Sequence, residues 1–166
     1  AGFTEAWVSF ASTRKAWAYL EDSRPATTHP IVAQVDDVEA ARQAFDGITY
    51  AKGASVLKQL VAYVGQDAFL KAAGRLFERS AYGNASLDDF LDVLSQVSGR
   101  DMQDWARAWL HTAGPSILTN ELVVDGGRIA SLTLRQEGTD PITGEPVLRP
   151  HTLVVGLYSL DEDGAL

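Results

Sequence analysis

The chain has 166 residues, enough for one hydrophobic core or for one domain with part of a second, and its 46% hydrophobic and 22% charged content is ordinary for a soluble globular protein. Lys+Arg 14 against Asp+Glu 22 gives a net charge of −8, which argues against nucleic acid or an anionic membrane as partner. Cys 0 removes disulfides and thiolate metal sites and suits a cytoplasmic protein, while no apolar run approaches the roughly 18 residues needed to span a bilayer.

The chain opens without an initiator Met or a basic leader, directly in an aromatic-rich pattern. That start reads as a cloning or proteolytic boundary, with Ala1 as a tag remnant. Residues 3–20 predict a helix, because Phe3, Trp7, Phe10, Arg14, Trp17 and Ala18 recur at helical intervals. Pro25 and Pro30 make 21–35 extended or turn. Asp36 or Asp37 caps a short helix through Ala44. Asp46-Gly47 signals a turn, and a helix over 48–64 follows at once. In it Tyr50, Ala54, Leu57, Val61 and Val64 fall on one stripe with Leu60 beside it, and Gly65 supplies the stop. Gly53 is mid-helix, where glycine costs about 1 kcal/mol relative to alanine; its presence predicts a close approach to the backbone.

A helix over 67–79 places Phe69, Ala73, Leu76 and Phe77 on one face, and Tyr82-Gly83-Asn84 is a turn. Ser86 with Asp89 forms a capping box for a helix carrying Leu87, Phe90, Leu91, Leu94 and Val97, which Gly99 ends. Asp101 with Asp104 repeats that arrangement for a helix with Met102, Trp105, Ala106 and Trp109, and Gly114-Pro115 closes the helical half. From Ser116 the period becomes two. Residues 117–124 and 128–136 predict a hairpin around Asp125-Gly126-Gly127, with Leu132 and Leu134 opposite in facing to Thr133 and Arg135. A loop with Pro141, Gly144, Pro146 and Pro150 leads to a third strand over 151–160 and a trailing DEDGAL. The fold class is therefore mainly α with a C-terminal β segment, divided near residue 115.

The residues that could carry chemistry read mostly as structure. None of His29, His111 and His151 is followed by Glu, and no pair has the i, i+4 spacing that puts two imidazoles on one helical face, so no metal site is expected here. Asp88-Asp89 and Asp101/Asp104 belong to first helical turns as caps. Trp7, Trp17, Trp105 and Trp109 read as core anchors, Glu5 and Glu21 as solvated surface. There is no glycine-rich phosphate loop, no Gly-x-Ser-x-Gly elbow and no basic stripe. On the residues alone, Tyr50 is a packed aromatic whose hydroxyl meets a local partner.

Four ordered stretches change that reading: THPI at 28–31, FDGITYAKGASVL at 45–57, YGNASLDDF at 82–90 and SGRDMQDWARAWLHTAGPSIL at 98–118. Together they resemble the aminopeptidase N family, the zinc-dependent gluzincin aminopeptidases, in its actinobacterial form, over roughly residues 3–118. The His-Glu-x-x-His helix of that family's zinc site is not in this sequence. The resemblance thus implies a fragment that lies C-terminal to the metal ligands, with zinc held in the parent enzyme and no cofactor in the fragment. It implies that 1–115 is the helical half of a thermolysin-like catalytic domain and that 116–166 begins a truncated β-sandwich. The implied activity is hydrolysis of N-terminal residues from peptides, the fragment alone being inactive. It also implies one catalytic residue, Tyr50, whose phenol stabilises the tetrahedral oxyanion. Lys52 and Gly53 of the same stretch are expected to be structural, a surface lysine and a glycine at a tight crossing. Cutting such a domain exposes apolar surface and a strand edge, so self-association is expected. The rival reading is a non-catalytic helical scaffold or protein-interaction domain that keeps the packing residues without the chemistry.

Overall fold

The computed structural model describes residues 3, 5–33 and 35–158. Its first rod, α1, is built from Ala6–Ser9, a π-helical stretch Phe10–Arg14 and Lys15–Asp22. The π turn adds a residue to the helical repeat, so the spacing around it departs from a uniform 3.6-residue period. Trp7 is left exposed at 55%, with the Lys58 ammonium 3.7 Å from its ring centroid. It is therefore not a core anchor. Trp17 and Trp109 are half-buried, and only Trp105 sits fully in the core.

Asp37 is the cap of α2 (Val38–Gln43), accepting from the Ala40 N–H at 2.7 Å. The long helix α3 opens with a second π turn, Ile48–Lys52, and continues as Gly53–Val64 until Gly65 turns out at φ 88°. Helix α4 (Gln66–Arg79) packs on α5 (Leu87–Ser98), whose N-terminus carries the full Ser86/Asp89 capping box and whose end is the left-handed Gly99. Helix α6 (Gln103–Leu110) begins differently from that box. Asp101 accepts from the Gln103 N–H at 2.9 Å, and Asp104 pairs with Arg107 on the same helix instead of reaching back.

The core lies where α3, α4, α5 and α6 meet: Val56, Leu60, Ala72, Leu91, Val93, Leu94, Met102, Trp105 and Ala106. Burying side chains of this size contributes about 1.5–3 kcal/mol each for the larger aliphatics. The buried face of α3 is thus Ile48, Ala51, Val56 and Leu60, rotated away from the expected stripe. Leu57 and Tyr50 of that stripe are about half exposed, and Phe77 of α4 is 72% exposed. Tyr50 and Leu57 thus share one face, as the 3.6-residue spacing has it, but that face is left open while Ile48, Ala51, Val56 and Leu60 turn to the core.

After Pro115, strands β1 (Ser116–Asp125) and β2 (Arg128–Gly138) pair antiparallel, from Ser116 opposite Gly138 to Asp125 opposite Arg128, with a bulge at Val123/Val124. Gly126 and Gly127, both at positive φ, make the two-residue turn. The 139–149 loop folds back on β2 through the Val147 N–H to Gly138 O bond at 2.9 Å. The expected third strand is not formed over 151–158, and its last two residues lie outside the described part. The segment is held by helices instead. Trp109 Nε1 donates to Pro150 O at 2.9 Å, Gln59 Nε2 to Thr152 O at 3.4 Å, and the His151 ring packs edge-on against Trp109. Among the described residues no helix is long and apolar enough to cross a membrane.

Candidate active site

The π turn at the head of α3 is gripped from several sides by carboxylates. Asp46 Oδ1 accepts from the Thr49 N–H at 2.8 Å, and Asp46 O accepts from the Tyr50 N–H at 3.2 Å. Glu21, from the end of α1, accepts from the Gly47 N–H at 2.6 Å and from Trp17 Nε1 at 2.6 Å. The expected solvated glutamate is therefore an inter-helix clamp, while Glu5 is exposed as expected. The close approach assigned to Gly53 occurs at Gly47. A Cβ there would lie 2.8 Å from Glu21 Oε2 and 3.0 Å from the Trp17 ring, whereas one on Gly53 would meet only Ile48 O at 3.8 Å.

His29 completes the grip. Its Nε2 lies 2.5 Å from Asp46 Oδ2 and its Nδ1 2.7 Å from Pro30 O. Both ring nitrogens face oxygens. The side chains of His29 and Asp46 are 27% and 18% exposed, so the pair is largely shielded.

Tyr50 projects from this turn beside an open cleft of about 440 Å³ lined by Phe10, Arg14, Trp17, Phe45 and Ala51. It is 54% exposed, its ring tilted against Phe45 at 5.7 Å. That is not the environment of a packed core tyrosine.

Two residues further on, Lys52 points inward. Its Nζ is 2.9 and 3.1 Å from the two Asp22 oxygens and 3.5 Å from Thr112 O, with only 10% of its side chain exposed. The expected surface lysine is half of a buried ion pair. Burial lowers its pKa from the ordinary lysine value, and the Asp22 charge and hydrogen bond oppose that shift. Asp22 also accepts from Thr28 Oγ1 at 2.9 Å and the Gly114 N–H at 3.0 Å, tying α1 to the end of the helical half. Next to it Arg149, 3% exposed, donates to Ala108 O, Ala113 O, Thr112 Oγ1 and Ser116 Oγ. This side chain docks the loop after β2 onto α6. Burial, with the Arg149 charge, also pushes His151 below the ordinary histidine value, and its Nε2 has no partner among the described residues. Nothing local in the sequence marks Asp22 or Arg149, whose Gly114 and Gln136 partners stand 92 and 13 residues away, and the motifs at 28–31 and 45–57 do not say that His29 and Asp46 pair across 17 residues.

Comparisons with known proteins bear on this arrangement. Residues 3–109 match the model of the peptidase family M1 domain. The chain belongs to the peptidase M1 family. It is 49% identical over 164 residues to aminopeptidase N of Streptomyces lividans, covering 96% of this chain and 19% of that protein, in line with the actinobacterial resemblance. It is 33% identical over 157 residues to tricorn protease-interacting factor F2 of Thermoplasma volcanium, covering 92% of this chain and 19% of that protein. To leucyl aminopeptidase of Saccharolobus solfataricus it is 33% identical over 124 residues, 75% of this chain and 15% of that protein. The chain thus spans about a fifth or less of the length of these relatives, two of which are aminopeptidases by name.

M1 aminopeptidases are generally zinc-dependent, and zinc takes His, Cys and carboxylate donors. Among the described residues no group of three or more His, Cys, Asp or Glu side chains is placed to hold a metal. The nearest approach, His29 with Asp46, is spent on Pro30 O and the Thr49 N–H. These residues do not fit a zinc donor set.

Proposed function

We propose that this M1 segment is the part of a cytoplasmic, zinc-dependent aminopeptidase that follows the metal ligands in sequence, acting on the N-termini of peptides, and that Tyr50 is its oxyanion donor. In this reading residues 1–115 complete the catalytic domain and 116–166 begin the β domain after it. Zinc is bound by residues preceding the segment and supplies Lewis-acid chemistry. The segment's own part is narrower. A phenol remains a neutral donor at working pH, and a fixed donor aimed where negative charge develops stabilises the transition state more than the ground state.

The observation that carries the proposal is the placement of Tyr50: a half-exposed side chain beside an open cleft, on a turn whose backbone is fixed by Asp46 and Glu21. A tyrosine kept for packing would be buried with its hydroxyl paired. Because the donor set for zinc is missing from the described residues, the segment alone is expected to bind zinc weakly and to hydrolyse nothing.

Tyr50→Phe in the full-length, zinc-loaded enzyme tests the role. Loss of the donor should lower kcat by about 10²–10³-fold, roughly 3–4 kcal/mol of barrier, with KM little changed. A variant that keeps its zinc and more than about half its kcat would refute the assignment, since that is far less than 1 kcal/mol.

A further inference from the structure

We propose that His29 and Asp46 form a positioning pair that sets the Tyr50 hydroxyl; this rests on the reading of Tyr50 as the oxyanion donor. The need for such a pair follows from exposure. A buried side chain is placed by its neighbours, but Tyr50 has its ring against Phe45 and more than half its surface free. Its aim is then set by the backbone turn that carries it.

That turn is controlled at its first residues. Asp46 holds the Thr49 N–H with one carboxylate oxygen and the Tyr50 N–H with its own carbonyl. Its other oxygen is fixed by His29 Nε2, 17 residues earlier in the chain. His29 in turn is anchored. Its Nδ1 meets Pro30 O, the preceding Thr28 is bonded to Asp22, and Val32 N–H donates to Leu110 O at 2.9 Å, tying the segment to α6. The proline limits the backbone freedom of that segment further. A continuous polar path therefore runs from α6 and α1, through His29 and Asp46, to the peptide group of Tyr50. Burial of Ile48 and Ala51 holds the turn against the core, and the polar path adds the direction that burial does not specify.

Without His29 the Asp46 carboxylate keeps its cap but loses the contact that fixes its rotation, and the turn can pivot. Misplacing a catalytic group by about 1 Å costs on the order of 10²-fold in rate. In the full-length zinc-loaded enzyme, His29→Ala should lower kcat by about 10- to 100-fold with KM nearly constant. Amide exchange at residues 47–52 should quicken. His29→Gln, whose amide N–H can reach Asp46 from near the Nε2 position, should recover much of both losses. The double variant His29→Ala/Tyr50→Phe should be no slower than Tyr50→Phe alone, because His29 acts through Tyr50.

The outcomes separate the two ideas. A disabled Tyr50→Phe beside a His29→Ala with full kcat and unchanged exchange overturns the pair and leaves the Tyr50 reading standing. Losses that multiply in the double variant also overturn it, since His29 would then act elsewhere. Full kcat in Tyr50→Phe overturns both. If His29→Ala fails to fold, His29→Phe serves. It keeps the ring's bulk and removes both nitrogens that meet Asp46 and Pro30, so a kcat loss absent from the double variant with Tyr50→Phe supports the pair, and an unchanged kcat overturns it.

Discussion

The two ends of helix α3 are held by different forces. From Val56 onward it is fastened by apolar burial against α4, α5 and α6, through Val56 and Leu60. Its first turn, 48–52, is fastened by Asp46, Glu21 and the Asp22–Lys52 pair, and it leaves Tyr50 in the open. Burial is strong and non-directional, so it fixes the fold while tolerating small rotations. Hydrogen bonds and ion pairs add little net stability each but specify angle and distance. The contrast teaches that this M1 segment puts its directional contacts at the turn that carries Tyr50 and its cohesive energy one turn further on.

The largest stability effect should come from breaking the ion pair at the polar end. Lys52→Met leaves the Asp22 charge buried with only Thr28, Gly114 and the neighbouring Arg149 to answer it. Removing one partner of a buried pair costs about 3–5 kcal/mol. Chemical denaturation should register that loss, and adding Asp22→Asn should return part of it. No recovery in the double variant would mean that Lys52 is not answering Asp22.

At the apolar end, Leu60→Ala should cost about 2–5 kcal/mol by cavity formation. Amide exchange at residues 47–52 below the global unfolding transition should stay as in the parent. Faster local exchange at that turn would erase the distinction between the two ends.

A smaller effect is expected at the α5 cap, remote from both. Ser86→Ala removes the acceptor for the Asp89 N–H and should cost about 1 kcal/mol in a thermal melt. The same box holds the Asp89 pKa below the ordinary value through its bonds to Ser86, so what it adds is lost only as pH falls through that lowered pKa.

The smallest change concerns His151. Its folded pKa is depressed, so below about pH 6.5 the unfolded chain takes up a proton that the folded ring refuses, and stability falls as pH falls. His151→Gln should flatten the decline in melting temperature between pH 7.5 and 5.5. A steeper decline would show the sign to be wrong.

Much of the architecture was legible because its signals are local. The Ser86/Asp89 box, the stops at Gly65 and Gly99, the Asp37 cap and the Gly126-Gly127 turn each depend on residues within a few positions of one another. They predict the same structure in almost any context. What the tertiary structure alone decided is which side of each element is covered and by what. The π turns at Phe10–Arg14 and Ile48–Lys52 leave no imprint on a 3.6-residue pattern, and neither the open face with Tyr50 nor the buried Lys52 is marked in it. Likewise Glu21, Asp22 and His29 are ordinary polar residues until chain closure brings Gly47, Lys52, Gly114 and Asp46 to them. Desolvation and directional bonding exist only once those distant groups meet, and no short-range pattern encodes that meeting.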